Sequence, residues 1–281
     1  GVADVGGRYF AEPGAYHGKR GTKQFFDGMG IENSAGNSSY QVNAAVVEEM
    51  VMQTSGMSAE TNADGPVMNV VPKEGSNTFK FIASGLFTND KFESNNLDQK
   101  LKDRKLTEPN KTNKIFDEAL SVGGPIKQDK LWFFGAYRTW KSSKYISGAY
   151  YNKNQGAVPN YVDADPLYNV SLYVPDLSRQ AHTGWAYYNS DIRLSYQANP
   201  KNKFVVSMSR NTICNCPIQL SGTGGSNAVK RAPEAAVQHH FVPMYLPAVT
   251  WSSPVNNKLL LEGGWSALFL NVHSVQMPEV R

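Results

Sequence analysis

Cys214 and Cys216, one residue apart in TICNC, are the residues whose type and spacing first suggest chemistry, because thiolates bind metals and pair with each other. Two thiols do not fill a structural zinc site, which takes four ligands, although His239 and His240 lie within reach in sequence. A disulfide across a single residue is strained, while an oxidising compartment favours pairing. We read the pair as a loop feature, with no metal assigned to it. Asp163 and Asp165 offer oxygen ligands to calcium, but Asp-x-Asp spacing alone does not make a calcium site. Glu48 and Glu49 are adjacent, so they share no face of a helix or strand. The histidines (His17, His182, His239, His240 and His273) stand in no motif with a nucleophile or a paired carboxylate. The expectation is a protein that is not an enzyme and carries no cofactor.

The elements that position these residues are strands. In YYNSDIRLSYQA, Tyr188, Ser190, Ile192, Leu194 and Tyr196 fall on one side. Asn189, Asp191, Arg193, Ser195 and Gln197 fall on the other, a period of two with one apolar and one polar face. KFVVSMSRN sets Phe204, Val206 and Met208 against Val205, Ser207 and Ser209. TFKFIASGLFT sets Phe79, Phe81, Ala83, Gly85 and Phe87 against Lys80, Ile82, Ser84 and Leu86. LLLEGGWSALFL is read in the same way, with Leu259, Leu261, Trp265, Ala267 and Phe269 together. HFVPMYLPAVTWSS places Phe241, Tyr245, Val249 and Trp251 on one side, with Pro243 and Pro247 awkward for a central strand.

The connections alternate in length. GGPIKQDK, NPKNK and SPVNNK are tight turns rich in turn-forming residues, whereas Asn89–Asn113, Thr139–Gly184 and Ile213–His239 are long. Short turns at one end of a sheet and long loops at the other are a mark of bacterial transmembrane β-barrels. Strands of roughly 10 to 13 residues suit a tilted crossing of the hydrocarbon layer. Trp132, Phe133, Tyr188, Trp251 and Trp265 near strand ends suit an interfacial girdle. The sequence thus predicts a mainly β fold: a small α+β module over residues 1–75, then about seven antiparallel barrel strands over 76–281. Such a count leaves a barrel incomplete, because an unpaired edge in lipid costs several kcal/mol per group. Both chain ends are expected to be edges within a longer protein.

Composition removes other classes. Of 281 residues 19% are charged and 11% aromatic, and the net charge of +4 comes from scattered basic residues. Nucleic-acid binding is therefore not expected. No stretch approaches the ~18 apolar residues of a transmembrane helix.

Val47 to Phe81, VEEMVMQTSGMSAETNADGPVMNVVPKEGSNTFKF, resembles the end of the plug domain of TonB-dependent outer-membrane receptors, where the plug crosses into the first barrel strand. The matching positions are Glu48, Glu49, Gly56, Ala59, Gly65 and Asn69, with the Asp27-Gly28 pair of FFDGMGIEN upstream. SVGGPIKQDKLWFFGAYR is similar to a hairpin of the Oar-like subgroup, through Gly123, Gly124, Pro125, Lys127, Asp129, Lys130, Trp132 and Phe133. The sequence departs from the pattern in a plug segment poorer in glycine and in showing no TonB box.

The resemblance implies a bacterial outer-membrane transporter that binds substrate at long loops and admits it past a plug with energy from TonB. Its partners would be outer-membrane lipid, the TonB complex and a substrate, small or polymeric, of unassigned class. Asn189, Asp191, Arg193 and Gln197 are candidates to line the lumen and bond the plug. Polar contacts suit a movable gate, since water replaces them at moderate cost. Tyr150, Tyr151, Tyr161, Asp163 and Asp165 are candidates for a polar ligand at the loops. The Gly-Gly-Pro stretch is expected to turn the hairpin. The rival class is a secreted β-rich adhesin or carbohydrate-binding module.

Overall fold

Alternating side chains become a face only when neighbouring strands pair in register, and from Lys80 onward they do. The structure, a computed structural model, describes residues 23–31, 40–55, 63, 65–104, 108–153, 173–218, 220 and 232–277. Two sheets carry nearly all of it. The small one is built from β1 (Lys23–Phe26), β2 (Met29–Gly30), β3 (Val47–Gln53) and β4 (Val67–Pro72) in the order β2-β1-β4-β3. β1 and β4 run parallel, the other pairs antiparallel. A 3-10 turn at Ala44–Val46, capped by the Asn43 side chain, is the helical element described between β2 and β3.

The large sheet is an antiparallel meander: β5 (Lys80–Asn89), β6 (Lys111–Lys127), β7 (Leu131–Asn152), β8 (Pro175–Asn199), β9 (Asn202–Ile218), β10 (Val237–Asn256) and β11 (Leu259–Ser266). A short β12 (Val272–Gln276) pairs with the far part of β10, making eight strands, and the sheet does not close. Tight turns link β6 to β7, β8 to β9 and β10 to β11, all at one end. Among the described residues no helix is long and apolar enough to cross a membrane.

Several strands outrun the length expected from hydropathy. β7 has 22 residues, β8 has 25 and β10 has 20. The apolar stretch marks only the turn-proximal part, and backbone pairing carries the ladder on past it. The long connections are correspondingly shorter than expected. Cys214 and Cys216 lie inside β9, and Tyr150 and Tyr151 inside β7, where loops were anticipated.

The β6–β7 turn also differs from expectation. Gly123, Gly124 and Pro125 belong to β6, and the chain reverses at Gln128–Lys130 with Asp129 at φ 60°. The glycines answer a packing demand instead. A Cβ on Gly123 would lie 3.0 Å from the Phe134 ring, and one on Gly124 would strike the Phe79 ring. Gly75, just before β5, has the same role: a Cβ there would collide with the Phe133 backbone carbonyl. Asn77 then fastens this crossing to the hairpin, accepting from the Trp132 indole at 2.7 Å and the Asp129 amide at 2.9 Å.

β10 accommodates its prolines with a bulge between Phe241 and Met244. One extra residue flips the side chains that follow. Phe241 therefore packs inward against Trp140, Tyr187, Ile213 and Met244. Val249, in contrast, stays exposed on the outer side. Tyr245 shares its side, which separates it from Phe241, contrary to the simple alternation read from sequence.

Candidate functional site

The two faces of the large sheet have opposite chemistry. Its outer rows run strand to strand in register: Val122–Gly135–Ile192–Met208–Pro247 and Gly124–Phe133–Leu194–Val206–Val249–Trp265. Ile192, Val206 and Trp265 are 54%, 50% and 57% exposed. From Tyr188 to Tyr196 this apolar band extends about 26 Å along the strand, or roughly 20 Å after a ~40° tilt, close to the hydrocarbon band of a membrane barrel.

The inner rows are polar near the short turns. Moving away from the short turns, Arg193–Ser207, Asp191–Ser209 and Arg138–Asn189–Asn211 lie in successive layers, followed by an aromatic layer of Trp140 and Tyr187 stacked at 4.1 Å. The small sheet sits on these polar layers. Asn43 donates to the Asp191 carboxylate at 2.8 Å, and the Ser209 hydroxyl donates to its other oxygen at 2.5 Å. Asn189 and Asn211 both donate to the Gln41 carbonyl, at 3.3 and 3.0 Å. Arg193 spans Asp27 at 2.8 Å and Glu74 at 3.1 Å, and Glu74 also meets Lys203 at 2.5 Å.

An apolar cluster underlies this polar seam. Phe26, Ile31, Tyr40, Val42, Val46, Met68 and Val70 of the small module pack with Phe134, Ala136 and Leu246 of the large sheet. Burial, with the Asp191 charge adding to it, holds the Tyr40 phenol well above its ordinary pKa. Burial tends to raise Glu74, but the cationic groups of Lys203 and Arg193 outweigh it and hold the carboxyl below its usual range.

Asp27 and Gly28 form the positive-φ turn between β1 and β2, at 55° and 77°, and the Asn69 side chain accepts from the Gly28 amide at 3.1 Å. The Asp-Gly pair and Asn69 are thus one device that aims the Asp27 carboxylate at Arg193. A cavity of about 500 Å³ opens beside this seam, lined by Asp27, Glu48, Lys73, Glu74, Lys80 and Arg193 among others. Glu49 is exposed on β3 and Gly65 is buried just before β4.

Among the described residues, Asn189, Asp191 and Arg193 all meet the small module, whereas Gln197 does not. Its side chain bonds Asn199 and Asn202 in its own hairpin. Lys127 and Asp129 are exposed at the turn, Lys130 is half-buried there, and Trp132 and Phe133 flank it. Tyr150 donates to Glu108 at 3.0 Å, and Tyr151 is buried with Ile146, Ala149 and Leu220. Tyr161, Asp163 and Asp165, like Gly56 and Ala59, lie outside the described residues.

Sequence reasoning missed Asn43, Glu74 and Lys203 as seam residues. It also missed the bidentate Arg138–Asp117 pair on the inner face. Glu74 carried a signal, since it lies two residues past the β4 strand that enters the seam, but Lys-Glu-Gly reads equally well as a strand terminator.

No family model matches the chain, and no curated protein matches it by sequence. Solved structures do. The outer membrane transporter YddB from Escherichia coli superposes with a TM-score of 0.55 at 10% identity, over 90% of this chain and 32% of that one. The siderophore receptor PirA from Acinetobacter baumannii is similar over 90% of this chain and 37% of its own, with 13% identity and a TM-score of 0.45. The chain spans about a third of the length of these structures. It therefore has the fold of roughly a third of an outer-membrane transporter: an unclosed antiparallel sheet with a small mixed sheet seated on its polar face.

Proposed function

We propose that the chain is part of a TonB-dependent outer-membrane transporter, with residues 1–75 as the C-terminal part of the plug and 76–281 as the N-terminal part of the barrel. The observation that carries this reading is the inversion of the large sheet. Its apolar face is bare, and its polar, charged face is covered by the small module. A lipid-facing exterior and a hydrated lumen call for that distribution. The plug is held by side-chain hydrogen bonds and ion pairs around Asp191 and Arg193, which water can replace as the plug moves. TonB would supply the energy for that movement, and the long connections would meet the substrate outside the cell. The hairpin from Gly123 to Phe133 favours the Oar-like subgroup, and the bacterial outer membrane is the site of action.

Topology labelling tests the reading. A tag in the β7–β8 connection should be labelled on intact cells, and a tag at Lys201 only after the outer membrane is permeabilised. Recovery of the chain as a water-soluble monomer labelled equally at both positions would favour a secreted adhesin and sink the proposal. Plug movement has its own test. Cysteines replacing Asn43 and Asp191, oxidised to tether the sheets, should abolish uptake reversibly, and undiminished uptake would refute a moving plug.

A further inference from the structure

The outer face holds one cluster that the transport reading does not use. Cys214 and Cys216 occupy alternate positions of β9 and so project to the same side. His240 of β10 stands directly opposite Cys214 in the ladder. Its Nε2 lies 3.8 Å from each sulfur, and the three ligand atoms fall within 4.8 Å of one another. His273 of β12 stacks on the His240 ring at 5.5 Å and fixes its plane. The cysteines are paired as a disulfide, with Cα atoms 5.4 Å apart.

We propose that the reduced Cys214–Cys216 pair, with His240 Nε2, forms a site for a thiophilic d10 cation such as Zn²⁺ or Cu⁺. Two thiolates and an imidazole are the donor set such ions select. The sulfur–nitrogen spacing fits, while the two sulfurs, bonded to each other here, part to about 3.8 Å on reduction to meet the same ion. Ligands at about 2.3 Å (sulfur) and about 2.0 Å (nitrogen) from a tetrahedral ion stand about 3.6 Å apart, close to the 3.8 Å observed. Three protein ligands leave a fourth position open. Two hydrogen-bonded strands present all three, and His240 Nε2 exchanges its 3.0 Å contact with Gln238 Oε1, and the proton it donates there, for the ion. The cluster lies on the side away from the short turns, two positions along β9 beyond Thr212, the partner of Tyr188 at the end of the apolar band.

Access to the site is set by redox state. Two thiols of an external reductant become one disulfide as the Cys214–Cys216 bond opens to two thiols. A divalent cation then displaces the two thiol protons. The oxidised pair has no thiolate to offer. This inference is independent of the transport reading, since it needs only the β9–β10–β12 pairing.

Cadmium is a suitable probe. The full chain in detergent is reduced, freed of reductant under anaerobic conditions and titrated with Cd²⁺. We expect one Cd²⁺ per chain with thiolate-to-metal charge-transfer absorption. Even outer-shell partners change metal affinity about 10- to 100-fold, so Cys214→Ser, Cys216→Ser and His240→Ala should each weaken binding by at least about tenfold. The oxidised wild-type protein should bind none. Equal binding by the reduced and oxidised wild-type chains, which share one sequence and fold, would overturn the proposal. Full affinity in reduced His240→Ala would overturn the assignment of the imidazole.

Discussion

The outer and inner faces of the large sheet are made by the same strands, residue by residue, yet they obey opposite rules. On β8, Ile192 and Leu194 stand 54% and 38% exposed while Arg193, between them, and Asn189, farther from the short turn on the same inner face, are 6% and 2% exposed. A sheet in water would bury the first pair and expose the second. The difference teaches that burial here follows a partner's chemistry and not hydrophobicity alone. The polar side chains are covered because the small sheet offers them carboxylates, carbonyls and amides, and the apolar ones stand exposed, as the proposed lipid contact requires.

The largest expected effect breaks the comparison on the outer side. Ile192→Arg, in the middle of the apolar band, should cost about 2–4 kcal/mol of membrane stability. Gln197→Arg, on the polar face at the turn, should change it by under ~0.5 kcal/mol. Unfolding titrations in lipid vesicles compare the two, and equal losses would refute the assignment of faces.

On the inner side, Arg193→Ala strips Asp27 and Glu74 of a shared cation. Those carboxylates keep 22% and 32% of their exposure, so solvent screens part of the loss. We expect about 1–3 kcal/mol, seen as faster hydrogen exchange in β1 and β4 with β8 amides unchanged.

A pair of glycine substitutions sharpens the contrast further. Gly75→Ala would press a methyl on the backbone of Phe133, which cannot yield, whereas Gly124→Ala presses on the Phe79 ring, which is 70% exposed and can rotate away. Gly75→Ala should lower thermal stability clearly, by about 1–3 kcal/mol, and Gly124→Ala by under ~1 kcal/mol. Similar losses would mean that the outer ring is as confined as the inner crossing.

The smallest effect is the pH response of the seam. Glu74 is held below the usual carboxylate range by Lys203 and Arg193 despite burial. Its contribution is therefore complete above the ordinary carboxylate pKa and is lost as pH falls through the lowered value in the folded state. Acid should loosen the small sheet, read as hydrogen exchange around β4. Glu74→Gln should flatten this dependence, and an unchanged pH profile in that variant would place the titrating group elsewhere.

Much of this was legible beforehand. Alternation along Tyr187–Ala198 assigns Ile192 and Arg193 to opposite faces without any coordinates, because the side-chain period of a strand is two. Tight turns against long connections distinguish the two ends of the sheet for a similar local reason: turn chemistry is written in neighbouring residues. The glycines of Gly-Gly-Pro were visible, but their purpose was not. They clear the way for Phe79 and for the Gly75 crossing, residues distant along the chain, and the reversal itself falls on Asp129.

The sequence alone determined a mainly antiparallel β chain whose strands alternate with a period of two, apolar against polar most clearly along Tyr187–Ala198, since this depends on residues a few positions apart. Only the tertiary structure decided what each face meets. It brings Asp27 and Glu74 to Arg193, turns Phe241 inward through a single bulge and sets His240 against Cys214 and Cys216. Those are contacts between strands remote in sequence, whose register depends on the whole ladder and is carried by no single segment.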